Sequence, residues 1–317
     1  MTDKKSMLRG VSLGMSTIVL VGAGLLSGCT TMTDGNTGGN KPVNNNPPAV
    51  QEDKQDKIMQ EFMALVEKSS KPDVLIDFIE KNIAGVSTKD ATAMLVELDK
   101  VQESYLPVLD NKFSNNAGIE EKLRKIYKPG FDLAKIEDIE DAELRSLLAE
   151  TESMGYRIET AEGMYFPIMN YASVKKFSSY ASEDMKAYID IMAVESSKVP
   201  AKDAALVISW DEVVERALAQ ESFINKYGSS VRLEVVKKLR DKYLTFVLYG
   251  LNNTPLFSYD TKLMDPEAKA AYAKAVKASG DSQLVQLLDK YMELLEKNGY
   301  KLTDEVENFR KAESGSN

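Results

Sequence analysis

The sequence has no histidine, one cysteine and one tryptophan in 317 residues. The absence of histidine excludes Ser-His-Asp and Cys-His catalysis and removes the commonest zinc ligand. A single cysteine excludes an intrachain disulfide, so an extracytoplasmic fold must be stabilised by its core alone. No motif typical of a nucleophile, a phosphate loop or a metal site is found. We therefore predict that the protein is not an enzyme and has no cofactor and no metal site.

Positive charge is also scarce. The chain has 40 basic and 49 acidic residues, and without residues 1–28 it keeps 37 and 48, a net charge of −11. This balance repels phosphate backbones, and no basic stripe with interleaved aromatic residues is found, so we predict no nucleic-acid partner. A hydrophobic content of 43% is enough for a sizeable core, in one large domain or two ordinary ones.

A long uncharged run occurs at the N-terminus. Residues 1–9 carry three positive charges, residues 10–25 are apolar, and the small residues Ser27 and Gly28 precede Cys29. This order is typical of an export signal over residues 1–28. A permanent membrane-spanning helix is the alternative, but four glycines dilute the run and it is shorter than the roughly 20 apolar residues of a comfortable span.

The sequence Leu26-Ser27-Gly28-Cys29 resembles the lipobox of bacterial lipoproteins. In that family the cysteine thiol receives a diacylglyceryl group, a dedicated signal peptidase cuts before the cysteine, and the new amino group is often acylated. The resemblance implies that Cys29 is lipidated and that membrane lipid holds the protein through it. Two or three acyl chains make such attachment durable. A buried free cysteine is the alternative, and the glycine, serine and threonine around Cys29 argue against it.

Residues 29–52 are predicted to be a flexible linker, because they are rich in Asn, Gly, Thr and Pro and have few apolar anchors. A helical domain is predicted over 53–312, followed by a disordered tail at 313–317. Apolar residues repeat at three- and four-residue spacing through this domain. They include Ile58, Phe62, Leu65 and Val66, then a stripe from Ala91 to Tyr105 that ends before Pro107, and later Val235, Val236, Leu239, Tyr243 and Phe246.

Local signals place several helix ends. Ser209 with Glu212 forms a capping box, Asp265 precedes a first-turn proline, and Gly299 suits a helix C-terminus. Residues 155–171 instead alternate in polarity and contain Ala161-Glu162-Gly163, which predicts a hairpin. The predicted fold class is mainly α, a multi-helix bundle or irregular helical array with one short β-hairpin near 156–168. A subdivision of the domain near 155–172 is left open.

Two segments, 223–230 and 275–282, resemble the helix-turn-helix of tetratricopeptide-like repeats, in which an aromatic residue, a turn and a serine precede the second helix. They lie 52 residues apart instead of 34, and the tryptophan-glycine-tyrosine pattern of the repeat is missing. The chain as a whole resembles helical lipoproteins of single-membrane bacteria that have no assigned activity. That likeness implies the same compartment and no particular chemistry.

Candidate functional residues cluster in the predicted hairpin. Glu159 and Glu162 lie among aromatic residues that include Tyr165 and Phe166, which is the composition of a ligand-contact surface or of a glycan-cleaving carboxylate pair. An exposed structural hairpin on an acidic protein would have the same composition, and this reading is favoured.

Two other features are interpreted as structural. The acidic residues between Glu137 and Glu143 have the oxygen ligands that calcium prefers, but they also suit the start of a helix, which is favoured. Trp210 falls at a first helical position, where packing against a neighbouring helix is favoured over a binding platform.

The function predicted from the sequence is a lipid-anchored extracytoplasmic module that binds or scaffolds at the cell membrane. Its partner is membrane lipid through Cys29, together with an envelope protein or glycan that the sequence does not identify. Two alternatives stay open: an envelope enzyme that acts on glycan through Glu159 and Glu162, and a solute-binding lipoprotein. The latter class is usually α/β, whereas this chain lacks apolar strands that alternate with helices.

Overall fold

The computed structural model describes residues 49–68, 71–127, 133–278 and 281–315, which contain twelve α-helices, three short 3-10 helices and three two-stranded β-hairpins. This confirms the predicted mainly α fold class. The helices are α1 (Ala49–Glu67), α2 (Pro72–Asn82), α3 (Thr88–Ser114), α4 (Ala117–Ile126), α5 (Ala142–Ser153), α6 (Tyr171–Val174), α7 (Glu183–Ser197), α8 (Trp210–Lys226), α9 (Leu233–Tyr249), α10 (Pro266–Ala278), α11 (Gln283–Lys297) and α12 (Asp304–Glu313). The strands are β1 (Tyr156–Ala161), β2 (Met164–Met169), β3 (Ala201–Lys202), β4 (Ala205–Leu206), β5 (Gly250–Leu251) and β6 (Thr254–Pro255).

The predicted helix ends are confirmed where the sequence signals were strongest. The Ser209 hydroxyl accepts from the Glu212 backbone N–H, and the Glu212 carboxylate accepts from the Ser209 N–H, so both halves of the capping box form. Asp265 accepts from two backbone N–H groups in the first turn of α10. Gly299 follows α11 with φ +62°, the left-handed conformation that glycine adopts at helix C-termini. The acidic run near 140 leads into α5, with Asp141 as its N-cap.

Strands β1 and β2 form the predicted hairpin, in a register that pairs Glu159 with Phe166 and Thr160 with Tyr165. Its turn consists of Glu162 and Gly163, both with positive φ, as a two-residue hairpin turn requires. The described residues also contain two shorter hairpins that the sequence did not predict. β3 pairs with β4 and β5 with β6, each over two residues, and strands this short give no alternating pattern in the sequence.

Two helix bounds also differ from the sequence prediction. α3 continues through Pro107 to Ser114, because the proline lies on the exposed side of the helix, where water can satisfy the carbonyl that loses its partner. α1 begins at Ala49, so the last residues of the predicted linker, from Ala49 to Glu52, are helical. The rest of that linker lies outside the described residues, as do the signal segment, Cys29 and the other lipobox residues.

The core consists of three groups of buried side chains. An N-terminal cluster joins α1, α2, the first half of α3, α6 and α7, and it also includes Phe223 of α8 and Val236 of α9. A middle cluster joins the second half of α3 with α4, α5 and β1, and a C-terminal cluster joins α8 to α12. The described residues belong to one compact unit. The N-terminal cluster takes side chains from the chain before the β1–β2 hairpin and from the chain after it. The hairpin is therefore not a domain boundary.

The two segments 223–230 and 275–282 lie at the turns between α8 and α9 and between α10 and α11, but these turns differ. Ser282 is the N-cap of α11 and accepts from the Val285 N–H, whereas Ser230 lies before Arg232, the N-cap of α9, and donates to Asp184. Among the described residues, every helix is too short or too polar to cross a membrane.

Candidate functional site

A cleft of about 510 Å³ lies beside the β1–β2 hairpin, and we call it the hairpin cleft. One wall is the hairpin itself, another is α3, and the others are the end of α7 with the following loop, strand β3, and one face of α9. The apolar lining residues are Leu106, Ala161, Phe166, Ile168, Met169, Met192, Val199, Pro200, Ala201 and Leu239. Most of these side chains are only partly buried, so apolar surface stays accessible inside a concave site. Such surface is typical of small-molecule sites.

Glu159, on β1, contributes a buried carboxylate to the cleft. Its side chain is 7% exposed, and its Oε1 accepts from the Lys202 ammonium and from the Thr160 backbone N–H at 2.8 Å. Strand alternation places Glu159 there, because it lies opposite Phe166 on the face of the hairpin that points towards β3. The carboxylate therefore has a fixed cationic partner.

The β3–β4 hairpin holds Lys202 in position. Its turn residues Asp203 and Ala204 have positive φ, and the Asp203 carboxylate accepts from the Glu162 N–H at 3.0 Å. The tips of the two hairpins are thus hydrogen-bonded to each other. This contact holds the two hairpins together at one edge of the hairpin cleft. The turn residues themselves do not line the cleft, but the adjoining strand ends do.

Glu195 contributes a second buried carboxylate from the last turn of α7. It accepts from the Tyr243 hydroxyl at 2.6 Å and lies 3.4 Å from the Arg216 guanidinium. Burial raises the pKa of Glu195 above its ordinary value, and the hydrogen bond from Tyr243 and the charge of Arg216 only partly oppose this. Arg216 also donates to the Lys198 carbonyl at 2.9 Å, which ties α8 to the end of α7.

Two exposed charges of opposite sign lie at the edge of the cleft, Glu103 on α3 and Lys242 on α9. Neither forms an ion pair with any described residue. Partial burial and the charge of Asp99 raise the pKa of Glu103, and the charge of Arg232 partly opposes them. A ligand that enters the cleft would therefore meet one unpaired carboxylate and one unpaired ammonium group at its mouth.

Tyr171 lines the inner wall, but its hydroxyl is already engaged. It donates to Asp99 at 2.7 Å and lies 3.1 Å from the Tyr188 hydroxyl. Burial, followed by the charges around it, raises the pKa of Tyr171 far above its ordinary value. Tyr171 is therefore a neutral hydroxyl that holds α6 against α3 and α7.

The structure separates the four hairpin residues predicted from the sequence. Glu159 and Phe166 line the hairpin cleft. Glu162 is exposed in the turn, and Tyr165 lies opposite Thr160, where its ring packs edge-on against Tyr127 with centroids 5.2 Å apart. Burial and the charge of Glu159 raise the pKa of Tyr127. Glu159 and Glu162 thus have different surroundings and do not share the cleft.

The other predicted features are structural where they are described. Trp210 is buried against Tyr272 with a ring-centroid distance of 6.1 Å, which confirms the packing interpretation. Within the described ranges, no group of three or more Asp, Glu or Cys side chains is placed so that it could hold a metal ion.

Several cleft residues escaped sequence reasoning, namely Glu103, Glu195, Lys202 and Lys242. They lie on four different elements, so no local spacing links them. Of these four residues, only Glu195 could have been identified from the sequence. It follows Tyr188 by seven residues and Met192 by three on α7, so it falls on the buried side of that helix, where a carboxylate is unusual.

No family model matches the chain, and no match is found among curated proteins or solved structures.

Proposed function

We propose that this protein is a lipid-anchored extracytoplasmic binding protein and that the hairpin cleft is its ligand site. The observation that carries the proposal is the partly buried apolar lining of the cleft, which surrounds a small number of fixed polar groups. This combination favours a ligand with an apolar body and a polar end. The buried carboxylates are already held by Lys202, Tyr243 and Arg216, an arrangement that suits recognition more than proton transfer.

The charge at the mouth of the cleft narrows the ligand class. Glu103 and Lys242 lie on different helices, α3 and α9, and have no ion partners among the described residues, so a ligand with both a cationic and an anionic group would satisfy both. A short apolar peptide or an apolar amino acid has this chemistry. The solute-binding alternative and the envelope-module prediction thus converge on the same site.

The glycan-cleaving alternative draws no support from the geometry. It requires Glu159 and Glu162 to flank one substrate. Glu159 is buried beside Lys202, whereas Glu162 is exposed in the turn and is not a lining residue of the cleft. We therefore do not propose an enzyme.

Binding in the cleft is tested with the neutral fluorophore N-phenyl-1-naphthylamine and the fragment 47–317. We expect Phe166→Asp and Val199→Asp to weaken its binding about tenfold or more, because each places a charge in the apolar lining. Met164→Asp is the matched control, since Met164 lies on the same hairpin, is 54% exposed and does not line the cleft. Equal affinities for Phe166→Asp and Met164→Asp would show that the probe binds elsewhere.

Anchoring is tested separately in cells with an alkyne-labelled fatty acid. Cys29→Ala should abolish labelling and release the protein from membranes, because the thiol is the acceptor that the lipobox resemblance implies. Ser27→Ala keeps a small residue before the cysteine and should retain the label. Incorporation into the Cys29→Ala protein at the wild-type level would contradict lipid attachment at this residue.

A further inference from the structure

A second cavity, with a volume of about 370 Å³, lies between α7 and α8, and we call it the α7–α8 cavity. The end of α7 lies beside the start of α8 there, because Lys198 pairs with Glu212 at 2.6 Å and the Arg216 guanidinium donates to the Lys198 carbonyl at 2.9 Å. The lining residues of α8 extend from Glu212 to Gln220, a span of about 12 Å at 1.5 Å per residue. Glu195 lines both this cavity and the hairpin cleft, and the other lining residues differ. The volume falls within the range of small-molecule sites.

The wall of the α7–α8 cavity is apolar surface that the fold leaves uncovered. Val194 is 49% exposed, Ile191 is half-buried and Ala219 is exposed, and all three line the cavity. Ile191 and Val194 are three residues apart on α7, so they are neighbours on the surface of that helix. Removing such surface from water is favourable, and a ligand with an apolar body would do so in this concave site.

The charges around this wall are mostly negative. The acidic lining residues are Asp190, Glu195, Glu212 and Glu215. The cationic lining residue, Arg216, has a side chain that is only 8% exposed and that is held by Glu195 at 3.4 Å and by Glu212 at 3.6 Å. An anionic ligand would therefore meet carboxylates and no available cation, whereas a cationic ligand is complementary to the cavity.

Glu215 is the carboxylate at the rim of the cavity that has no ion partner among the described residues. Asp190 is paired with Lys175 at 2.7 Å, and Glu212 is paired as described above. Glu215 is exposed and precedes Ala219 by four residues, so the two are neighbours on the surface of α8. A ligand without a positive group would partly cover this carboxylate and offer no compensating charge. A ligand with an ammonium group would supply the missing partner.

We propose that the α7–α8 cavity binds a small amphipathic cation, whose apolar body packs on Ile191, Val194 and Ala219 while its ammonium group pairs with Glu215. The short span of the cavity suits a free small molecule. This site goes beyond the function proposed for the hairpin cleft, since its lining differs and its ligand needs no anionic group. Either site can therefore fail without the other.

The test uses three ligands that share a phenylpropyl body and differ in charge: phenylpropylammonium, the neutral phenylpropanol and the anionic phenylpropanoate. Their affinities for the full-length protein in phosphatidylcholine nanodiscs are measured by ligand-observed saturation-transfer NMR, with empty nanodiscs as background. We expect the ammonium compound to bind about fivefold more tightly than the alcohol, as one partly exposed ion pair allows, and the carboxylate to bind most weakly. High salt should reduce this preference for the ammonium compound.

Paired variants separate the site from the net negative charge of the chain. Glu215→Gln should reduce the preference about threefold, whereas Glu183→Gln, at an exposed position of α7 outside the lining, removes the same charge and should leave it unchanged. Val194→Lys places an ammonium group in the apolar wall and should weaken binding of the cation about tenfold. Val108→Lys adds the same charge at a site on α3 that is 52% exposed, and should not weaken it. Phe166→Ala, in the hairpin cleft, should also leave binding unchanged.

Three results would overturn the proposal. One is equal binding of phenylpropylammonium and phenylpropanol to the wild-type protein, a comparison that does not depend on the folding of any variant. Another is a preference that Glu215→Gln and Glu183→Gln reduce equally, which would assign it to the net charge of the protein. The third is loss of phenylpropylammonium binding in the Phe166→Ala protein, which would assign the probe to the hairpin cleft.

Discussion

Glu195 is a buried carboxylate whose ionisation links the stability of the fold to pH. Burial raises its pKa in the folded chain, whereas in the unfolded chain the pKa returns to about the ordinary value of 4.5. The folded state therefore holds the proton more tightly. It follows that Glu195 lowers the stability when ionised, and that this cost is relieved as the pH falls through the raised pKa towards 4.5.

The first prediction concerns Glu195→Gln, which removes this titration. As the pH falls from about 8 to about 5, the free energy of unfolding of the wild-type protein, measured by urea denaturation, should rise relative to that of the variant. Glu215→Gln, on the exposed face of α8, controls for the loss of one carboxylate. A wild-type advantage that shrinks as the pH falls would contradict the burial of an ionisable Glu195.

Other single residues show what a sequence alone does not reveal. Glu221 of α8 accepts from the Gln283 N–H at 2.6 Å and from the Leu284 N–H at 2.9 Å, so it satisfies the start of α11 from a distant helix. Ser282 was recognisable as a residue before that helix. Its partner Glu221, 61 residues earlier in the chain, was not, because nothing in local spacing reports a contact between helices.

Among the elements, the β1–β2 hairpin depends on its two turn residues. Glu162 has φ +52° and Gly163 has φ +78°. A residue other than glycine or asparagine is strained in this left-handed backbone conformation. Added atoms at Gly163 would meet nothing within 4 Å, so a substitution there acts through the backbone alone. The Glu162 N–H bond to Asp203 is made by the backbone and survives a change of side chain.

The second prediction follows from that strain. Glu162→Asn should raise the free energy of unfolding by about 0.5–1 kcal/mol, and Gly163→Ala should lower it by about 1 kcal/mol. Both values are read from thermal or urea unfolding of the fragment 47–317. Neither change should alter binding in the hairpin cleft, because neither residue lines it. A destabilised Glu162→Asn protein would show that the glutamate side chain has a contact of its own in the folded state.

The elements that the sequence predicted share one property, which is that their signals are local and repeated. Apolar stripes, the Ser209 capping box and the Ala161-Glu162-Gly163 turn each specify structure within a few residues. Strands β3 to β6 have two residues each and so cannot show alternation. The continuation of α3 past Pro107 was missed because exposure of the proline, which makes it tolerable, depends on how the helix packs.

Because sequence signals are local, only part of the candidate site could be predicted from them. The sequence singled out Glu159, Glu162, Tyr165 and Phe166 together, but alternation along paired strands sends Phe166 to the cleft and Tyr165 to the middle cluster. The opposite walls, with Glu195, Lys202 and Lys242, come from α7, β3 and α9. Their meeting is a property of the tertiary fold, and charge and hydropathy patterns do not report it.

For the whole molecule, the three core clusters are joined by shared elements. α3 contributes Leu98 to the N-terminal cluster and Leu109 to the middle cluster, while α8 and α9 contribute to both the N-terminal and the C-terminal clusters. A buried ion pair, between Arg232 and Asp99 at 2.8 Å, connects the start of α9 to α3. Because these elements cannot leave one cluster without disturbing another, we expect residues 47–317 to unfold as one cooperative unit.

The last prediction tests this cooperativity with the single tryptophan. Trp210 lies in the C-terminal cluster, so its fluorescence reports on that cluster, whereas far-UV circular dichroism reports on all helices. Met94→Ala removes a fully buried side chain from the N-terminal cluster and should lower the free energy of unfolding by about 2–5 kcal/mol. If the unit is cooperative, the urea midpoint measured by Trp210 fluorescence should fall as much as the midpoint measured by circular dichroism. Val108→Ala, at a site 52% exposed on α3, should move neither. A Trp210 transition that stays at the wild-type midpoint while the dichroism signal becomes biphasic would show that the clusters unfold independently.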